Sequence, residues 1–257
     1  MSTVTSKDGT SISYTRRGRG PAVILATGAL DDGSENEPLA EALATRFTTY
    51  NYARRGRGES GDTPPYAVAR EIEDLEALVA EAGGRAHLYG VSSGGALALE
   101  AAAAGAAVDR LALYEVPYFV DAGMSQAWRG YVAELRAALA HGQPGTPLEL
   151  FHRLAGFSDE DIAAARASPF WAAAQALEHT LAQDAACIGD GEPPTARLAT
   201  IGAPCLVASG GGTDFIEAAA DAIAASMPNA ERRTLDGQGH VVEPTVMAPV
   251  LEQFFAG

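Results

Sequence analysis

The chain has little of what marks several protein classes. Its 257 residues contain two cysteines, Cys187 and Cys205, which leaves no disulfide framework and fits thiols in a reducing compartment. No cluster of cysteine and histidine has metal-ligand spacing. Gly239-His240 has no second histidine one helical turn away, so a zinc-protease helix is excluded. Positive charge is scarce: 18 Lys and Arg against 33 Asp and Glu give a net charge of −15. That balance excludes nucleic acid and an anionic membrane as expected partners. The apolar stretch 96–107 is broken by Glu100 and Gly105, and no other run reaches membrane-spanning length. Met1 to Gly9 is polar and lacks the apolar core of a secretion signal, so a cytoplasmic protein is expected. No internal repeat, low-complexity linker or sustained heptad pattern is present, and a monomer or homodimer is expected.

What is there is a strand–helix alternation. Apolar or β-rich segments at 11–15, 22–26, 47–52, 87–91, 110–114, 205–209 and 231–235 read as strands. Helical periodicity covers 33–46, 68–82, 214–226 and 246–255. This rhythm predicts a mostly parallel sheet with helices on both faces. It lapses between Val116 and Arg197, where helical stretches 121–140, 147–155, 159–165 and 169–186 follow one another. The division expected is a core of 1–115 and 198–257 and a helical lid of 116–197. The lid would cover the carboxyl edge of the sheet, where such folds bind ligands.

The segment most loaded with chemistry is His87-Leu-Tyr-Gly-Val-Ser-Ser-Gly-Gly-Ala-Leu97. It reads as a strand, a Gly-x-Ser-x-Gly turn and a helix, the order of a nucleophile elbow. Ser92 has glycine at both i−2 and i+2, whereas the competing Ser93 does not. Ser92 is therefore the candidate nucleophile. The Ser93 amide opens the helix and can face a developing oxyanion. A second donor is expected from the loop Thr27-Gly28-Ala29-Leu30, from the Ala29 amide ahead of that of Leu30.

A serine hydroxyl needs a base. His87 starts its strand at the wrong end of the sheet, and His141, His152 and His179 lie in the helical insertion. His240, in the loop Asp236-Gly-Gln-Gly-His240 after the last strand, is the candidate base. For the carboxylate that orients it, Glu115 ranks above Asp214, with Asp236 third. Glu115 ends an apolar strand and needs a partner there, whereas Asp214 stands where a helix begins and fits an N-cap. In the insertion, Tyr118, Trp128, Tyr131 and Trp171 are candidate substrate contacts, together with Leu30 and with Phe119, Phe151, Phe157 and Phe170.

With these residues assembled, the chain resembles the α/β-hydrolase fold superfamily along nearly its whole length. Gly90-Val-Ser-Ser-Gly94, Gly237-Gln-Gly-His240 and Tyr52-Ala-Arg-Arg-Gly-Arg-Gly-Glu-Ser60 carry the likeness. The last resembles the family's aromatic-x-x-Arg-Gly-x-Gly-x-Ser turn. Thr27-Gly28 replaces the usual His-Gly, and the usual acid loop is blurred into Gly210–Asp214. The Ser-Ser-Gly elbow and Glu115-Val-Pro117 are similar to segments of zearalenone-type lactonases, which place the acid at that point. The resemblance implies a mostly parallel eight-stranded sheet with an inserted helical lid. It also implies a hydrolase that cleaves a small, largely apolar ester or lactone and needs no metal or organic cofactor. Two alternatives stay open: cofactor-free lyase, haloperoxidase-like or cyclase chemistry on the same fold, and small-molecule binding without turnover.

Overall fold

The computed structural model describes residues 1–257. Eight strands form a single sheet: β1 (Ser2–Thr5), β2 (Ser11–Gly18), β3 (Ala22–Ala26), β4 (Thr48–Tyr52), β5 (Ala86–Val91), β6 (Val108–Tyr114), β7 (Cys205–Ser209) and β8 (Ala230–Thr234). Their order across the sheet is β1-β2-β4-β3-β5-β6-β7-β8. Only β1–β2 and β2–β4 pair antiparallel. From β4 to β8 every pairing is parallel, which brings the carboxyl ends of β3, β5, β6 and β7 to one level.

Side chains alternate across these strands with the period of two that a pleat dictates. Ile24 and Leu88 join one core, while Val23, Leu25 and Tyr89 join the other. The intervening helices are α1 (Glu37–Leu43), α2 (Val68–Glu81) and α3 (Ser93–Ala103). Between β6 and β7 run α4 (Ala122–Ala140), α5 (Thr146–Leu154), α6 (Asp159–Arg166), α7 (Trp171–Leu177), α8 (Leu181–Ile188) and α9 (Thr195–Leu198). The last two are α10 (Asp214–Ser226) and α11 (Pro244–Ala256). Leu75 of α2, Leu97 of α3 and Ile223 of α10 pack on one face, and Leu39 of α1 with Leu251 and Phe255 of α11 on the other.

Several elements depart from the sequence reading, among them α9, which it did not contain, and β2, which runs on to Gly18. β1 falls in the segment read only as polar; Val4 is its single buried residue, so the strand carries no apolar alternation. α1 begins at Glu37 rather than Gly33, because Asp31 Oδ1 accepts from the amides of Gly33 and Glu35 and from the Ser34 hydroxyl, folding that stretch into a turn. The helix expected over 169–186 is interrupted by a 3₁₀ turn at Glu178–Thr180.

The loop after β4 buries three arginines, Arg54, Arg55 and Arg57, to 0%, 0% and 1% exposure. Charges taken out of water need partners, and α2 supplies them one turn apart. Arg54 makes two 2.8 Å hydrogen bonds to Glu71, and Arg55 a similar pair to Asp74 with a third to Asp8. The remaining Arg54 nitrogen, Nη1, donates to Asp184 of α8 at 2.7 Å. Burial alone would raise the Glu71 carboxyl, but the Arg54 guanidinium outweighs it and holds it below the ordinary glutamate range.

A carboxyl held low in the folded state contributes stability above its unfolded value and loses it as the pH falls through the folded one. Glu71→Gln is therefore expected to lower the urea unfolding free energy at pH 7 by about 3–5 kcal/mol, since it leaves a buried guanidinium underpaired. Its stability should also fall less steeply than the wild type's on acidification below about pH 4.5. An unfolding free energy within about 1 kcal/mol of the wild type would contradict this account.

Candidate active site

Three non-glycine residues have positive φ: Leu30 (58°), Ser92 (56°) and Glu115 (53°). Such conformations are rare for residues bearing a Cβ and are found where surrounding structure enforces them. All three lie beyond the carboxyl ends of neighbouring strands, β3, β5 and β6.

At Ser92 the chain leaves β5 and enters α3 in one residue. The neighbouring glycines make that turn possible. A Cβ on Gly90 would lie 2.6 Å from the Gly94 carbonyl oxygen, and one on Gly94 would overlap the carbonyl oxygens of Thr27 and Ala26. The Ser92 amide is tied to Tyr114 O of β6 at 2.9 Å. The first-turn amide of Ser93 has no acceptor within the helix, and the Ala29 amide makes no hydrogen bond within the chain. Gly28 lies directly against the serine: a Cβ there would stand 3.0 Å from Ser92 Cβ.

Glu115 is buried, and its two oxygens have different partners. Oε1 accepts from the Gly210 amide at 2.8 Å, and Oε2 faces His240 Nδ1 at 3.3 Å. The loop carrying His240 is held by a 2.6 Å hydrogen bond from the Tyr114 hydroxyl to Gly239 O. Gly210 allows it to come close, since a Cβ there would overlap the Gln238 carbonyl oxygen. The imidazole, half exposed, lines a cavity of about 800 Å³ together with Ala29, Ser92, Ser93 and Glu115. The Ser92 hydroxyl and the His240 ring border this cavity without a direct hydrogen bond between them. Asp214 is exposed and is the first residue of α10. The N-cap is Thr213, so the capping position lies one residue earlier than the sequence indicates.

Of the expected substrate contacts, Trp128 and Tyr131 line the cavity, as do Phe119, Phe151 and Phe157. Phe215 of α10 completes the aromatic wall, stacked on Phe119 with ring centroids 5.6 Å apart. Tyr118, Trp171 and Leu30 do not line it, nor does Phe170. The segment after β6 alternates: Pro117 and Phe119 border the cavity while Val116 and Tyr118 enter the core. Trp171 instead stacks on His152, and Leu30 packs against the sheet's core. Phe170 is 79% exposed. His87 is sandwiched against Phe255 at the amino end of β5, far along the sheet from the cavity.

Asp184 of α8 was not among the candidate residues, yet it lines the cavity and is buried. Its Oδ1 accepts from Ser93 Oγ, Arg54 Nη1 and Arg57 Nη2, each at 2.7 Å. Burial raises its carboxyl, but the charges of Arg57 and Arg54 prevail and hold it below the ordinary aspartate range. A signal for it does exist in the sequence: a lone acid in the apolar helix Leu181-Ala-Gln-Asp-Ala-Ala-Cys-Ile188, in a chain with an arginine cluster elsewhere.

This geometry agrees with what the chain is similar to. The model of the alpha/beta hydrolase family matches residues 23–251. The chain belongs to the alpha/beta hydrolase family. An alpha/beta hydrolase from Sphaerobacter thermophilus DSM 20745 is 45% identical, with 99% of this chain and 100% of that one covered at a TM-score of 0.89. The enol-lactonase from Burkholderia xenovorans LB400 shares the fold at 20% identity, TM-score 0.74, over 100% of both chains. The uncharacterized hydrolase YraK of Bacillus subtilis (strain 168) is 31% identical over 96 residues, 36% of this chain and 35% of its own length. Membership supports hydrolase chemistry in the broad sense. No helix is long and apolar enough to cross a membrane.

The elbow geometry makes a paired prediction. Gly94→Ala should abolish soluble expression, because its Cβ overlaps two carbonyl oxygens of the β3 loop. Gly130→Ala in α4, where a Cβ meets nothing within 4 Å, should raise stability by about 0.5–1 kcal/mol. The yield of soluble protein reads the first and thermal unfolding the second, and a well-folded Gly94→Ala protein would contradict the packing described.

Proposed function

We propose that this protein is a serine hydrolase that cleaves a small, largely apolar carboxylic ester or lactone. The observation that carries this reading is the buried Glu115 carboxylate bonded to His240 Nδ1, beside a serine held at positive φ in the same cavity. With Nδ1 engaged as a donor, the other ring nitrogen, Nε2, is free to act as base.

Ser92 Oγ attacks the substrate carbonyl carbon while His240 takes its proton. The oxygen that becomes anionic receives the Ala29 and Ser93 amides, and the dipole of α3 favours negative charge at its start. The intermediate collapses, and the imidazolium gives its proton to the leaving alkoxide. In a lactone that alcohol stays attached to the acyl group. Water, deprotonated by His240, then attacks the acyl-enzyme, and the imidazolium returns the proton to Ser92 Oγ as the acid leaves. Glu115 holds the ring and stabilises its charged form throughout. Three side chains and two amides supply every step.

The aromatic lining of the cavity supports an apolar substrate, since Phe119, Trp128, Tyr131, Phe151, Phe157 and Phe215 share it with Ser92. A pocket of this kind gains affinity by removing apolar surface from water. In this reading, helices α4–α9 form a cap over the sheet edge, from Ala122 to Leu198, one residue past the expected lid of 116–197.

On a p-nitrophenyl ester, Ser92→Ala should lose activity by about 10³-fold or more. Glu115→Gln should lower kcat by about 10²- to 10⁴-fold, while Asp214→Asn stays within about twofold, as an exposed residue outside the hydrogen-bonded set. Equal hydrolysis by wild type and Ser92→Ala would overturn the reading. A larger loss in Asp214→Asn than in Glu115→Gln would reassign the acid.

A further inference from the structure

The Ala29 amide sits in an irregular loop after β3, where no strand or helix ladder fixes the direction of a peptide plane. One contact fixes it. Arg57 Nη1 donates to Gly28 O at 2.6 Å. Gly28 C=O and Ala29 N–H belong to the same peptide unit. That unit is trans, since the chain's cis bond is at Pro64-Pro65, and in a trans peptide the N–H points opposite the C=O. A guanidinium gripping the carbonyl on one side therefore turns the Ala29 N–H to the other. A cation on the carbonyl also polarises the unit and makes its N–H a stronger donor.

Arg57 is itself anchored. Its Nη2 donates to Asp184 Oδ1, the oxygen that also accepts from Ser93 Oγ. One carboxylate oxygen thus ties the arginine that orients the first amide to the side chain of the residue bearing the second. Neither partner is fully satisfied: Arg57 Nε and Asp184 Oδ2 are buried without hydrogen bonds. A buried ion pair with unmet groups is a poor source of stability, which leaves placement as its evident contribution. Arg57 stands between Gly56 and Gly58 in the turn that follows β4.

We infer that Arg57, anchored by Asp184, is a positioning residue that aims the Ala29 amide at the oxyanion. The inference rests on the serine-hydrolase reading. It does not require Arg57 to touch substrate, and Arg57 does not line the cavity.

The test compares wild type, Arg57→Gln, Arg57→Lys and Ser92→Ala on p-nitrophenyl butyrate. Affinities are measured in parallel for phenylboronic acid, which forms a tetrahedral adduct on the serine, and for an ether isostere of the substrate. Arg57→Gln should lower kcat by about 10- to 100-fold, somewhat less than deletion of an oxyanion donor, with KM little changed. It should weaken the boronate by a similar factor and the ether hardly at all. Arg57→Lys, which can still donate to Gly28 O, should recover part of kcat. An unchanged kcat, or equal weakening of boronate and ether, overturns the inference. If Ser92→Ala hydrolyses like wild type, the serine reading has failed instead. Should Arg57→Gln not fold, a wild-type crystal of the boronate adduct decides. Its boron-bound oxygen should accept from Ala29 N while Gly28 O stays on Arg57; an Ala29 N–H turned away from that oxygen refutes the inference.

Discussion

Three neighbouring parallel strands stop at one level, and each leads into a residue whose backbone bends against its own Cβ. Ser92 follows β5 directly, Glu115 follows β6 directly, and Leu30 lies a short loop beyond β3. Each such conformation costs about 1–3 kcal/mol, and the rest of the site depends on that cost being met. At Ser92 the turn is allowed by Gly90 and Gly94, which let α3 close onto β5 and the β3 loop. At Glu115 it accompanies a carboxylate directed to the Gly210 amide and the His240 ring rather than along the strand. Without the parallel register that aligns these strand ends, Ser92, Glu115 and the loop after β3 would sit at different heights.

The second constraint is electrostatic. An acidic chain buries three arginines in one loop and meets them with Glu71, Asp74, Asp8 and Asp184. Arg54 and Arg57 face two carboxylates, Glu71 and Asp184, so the charges balance within the cluster. Arg54 reaches from α2 to α8, joining the sheet-bound helices to the helical block between β6 and β7. The same cluster touches the carbonyls of Thr27 and Gly28 and the hydroxyl of Ser93. The stability of the scaffold and the placement of the Gly28–Ala29 peptide therefore share one set of charges. That sharing is a physical reason for a cluster that an apolar core of similar volume could match in stability.

Much of this was legible in the sequence because it is local. Strand runs such as Ala22–Ala26 and Cys205–Ser209, and the helix at 214–226, follow from periodicity within a few residues. The elbow announces itself through glycines at fixed offsets from Ser92, and His240 through a glycine-rich loop at the right end of its strand. Glu115 was legible for a different reason: a charged residue closing an apolar strand has to find a partner. The parts that escaped are those set by distance. β1 is held by pairing with β2, not by its own pattern. The partnership of Asp184 with Arg54 and Arg57 spans about half the chain; a lone acid in an apolar helix signals that Asp184 needs a partner but does not say which. Tyr118 and Trp171 resemble pocket residues in composition, but the alternation after β6 and the docking of α7 turn them elsewhere. Composition gives the supply of aromatics, and only packing assigns them a wall.

In the proposed mechanism the strained residue at the end of β5 is the nucleophile. Incubation with a fluorophosphonate, followed by peptide mapping with tandem mass spectrometry, reads it directly. A single stoichiometric phosphonyl adduct on Ser92 is expected, with markedly slower labelling in Glu115→Gln. A protein that stays unlabelled, or one that carries the adduct on Ser93, would contradict it.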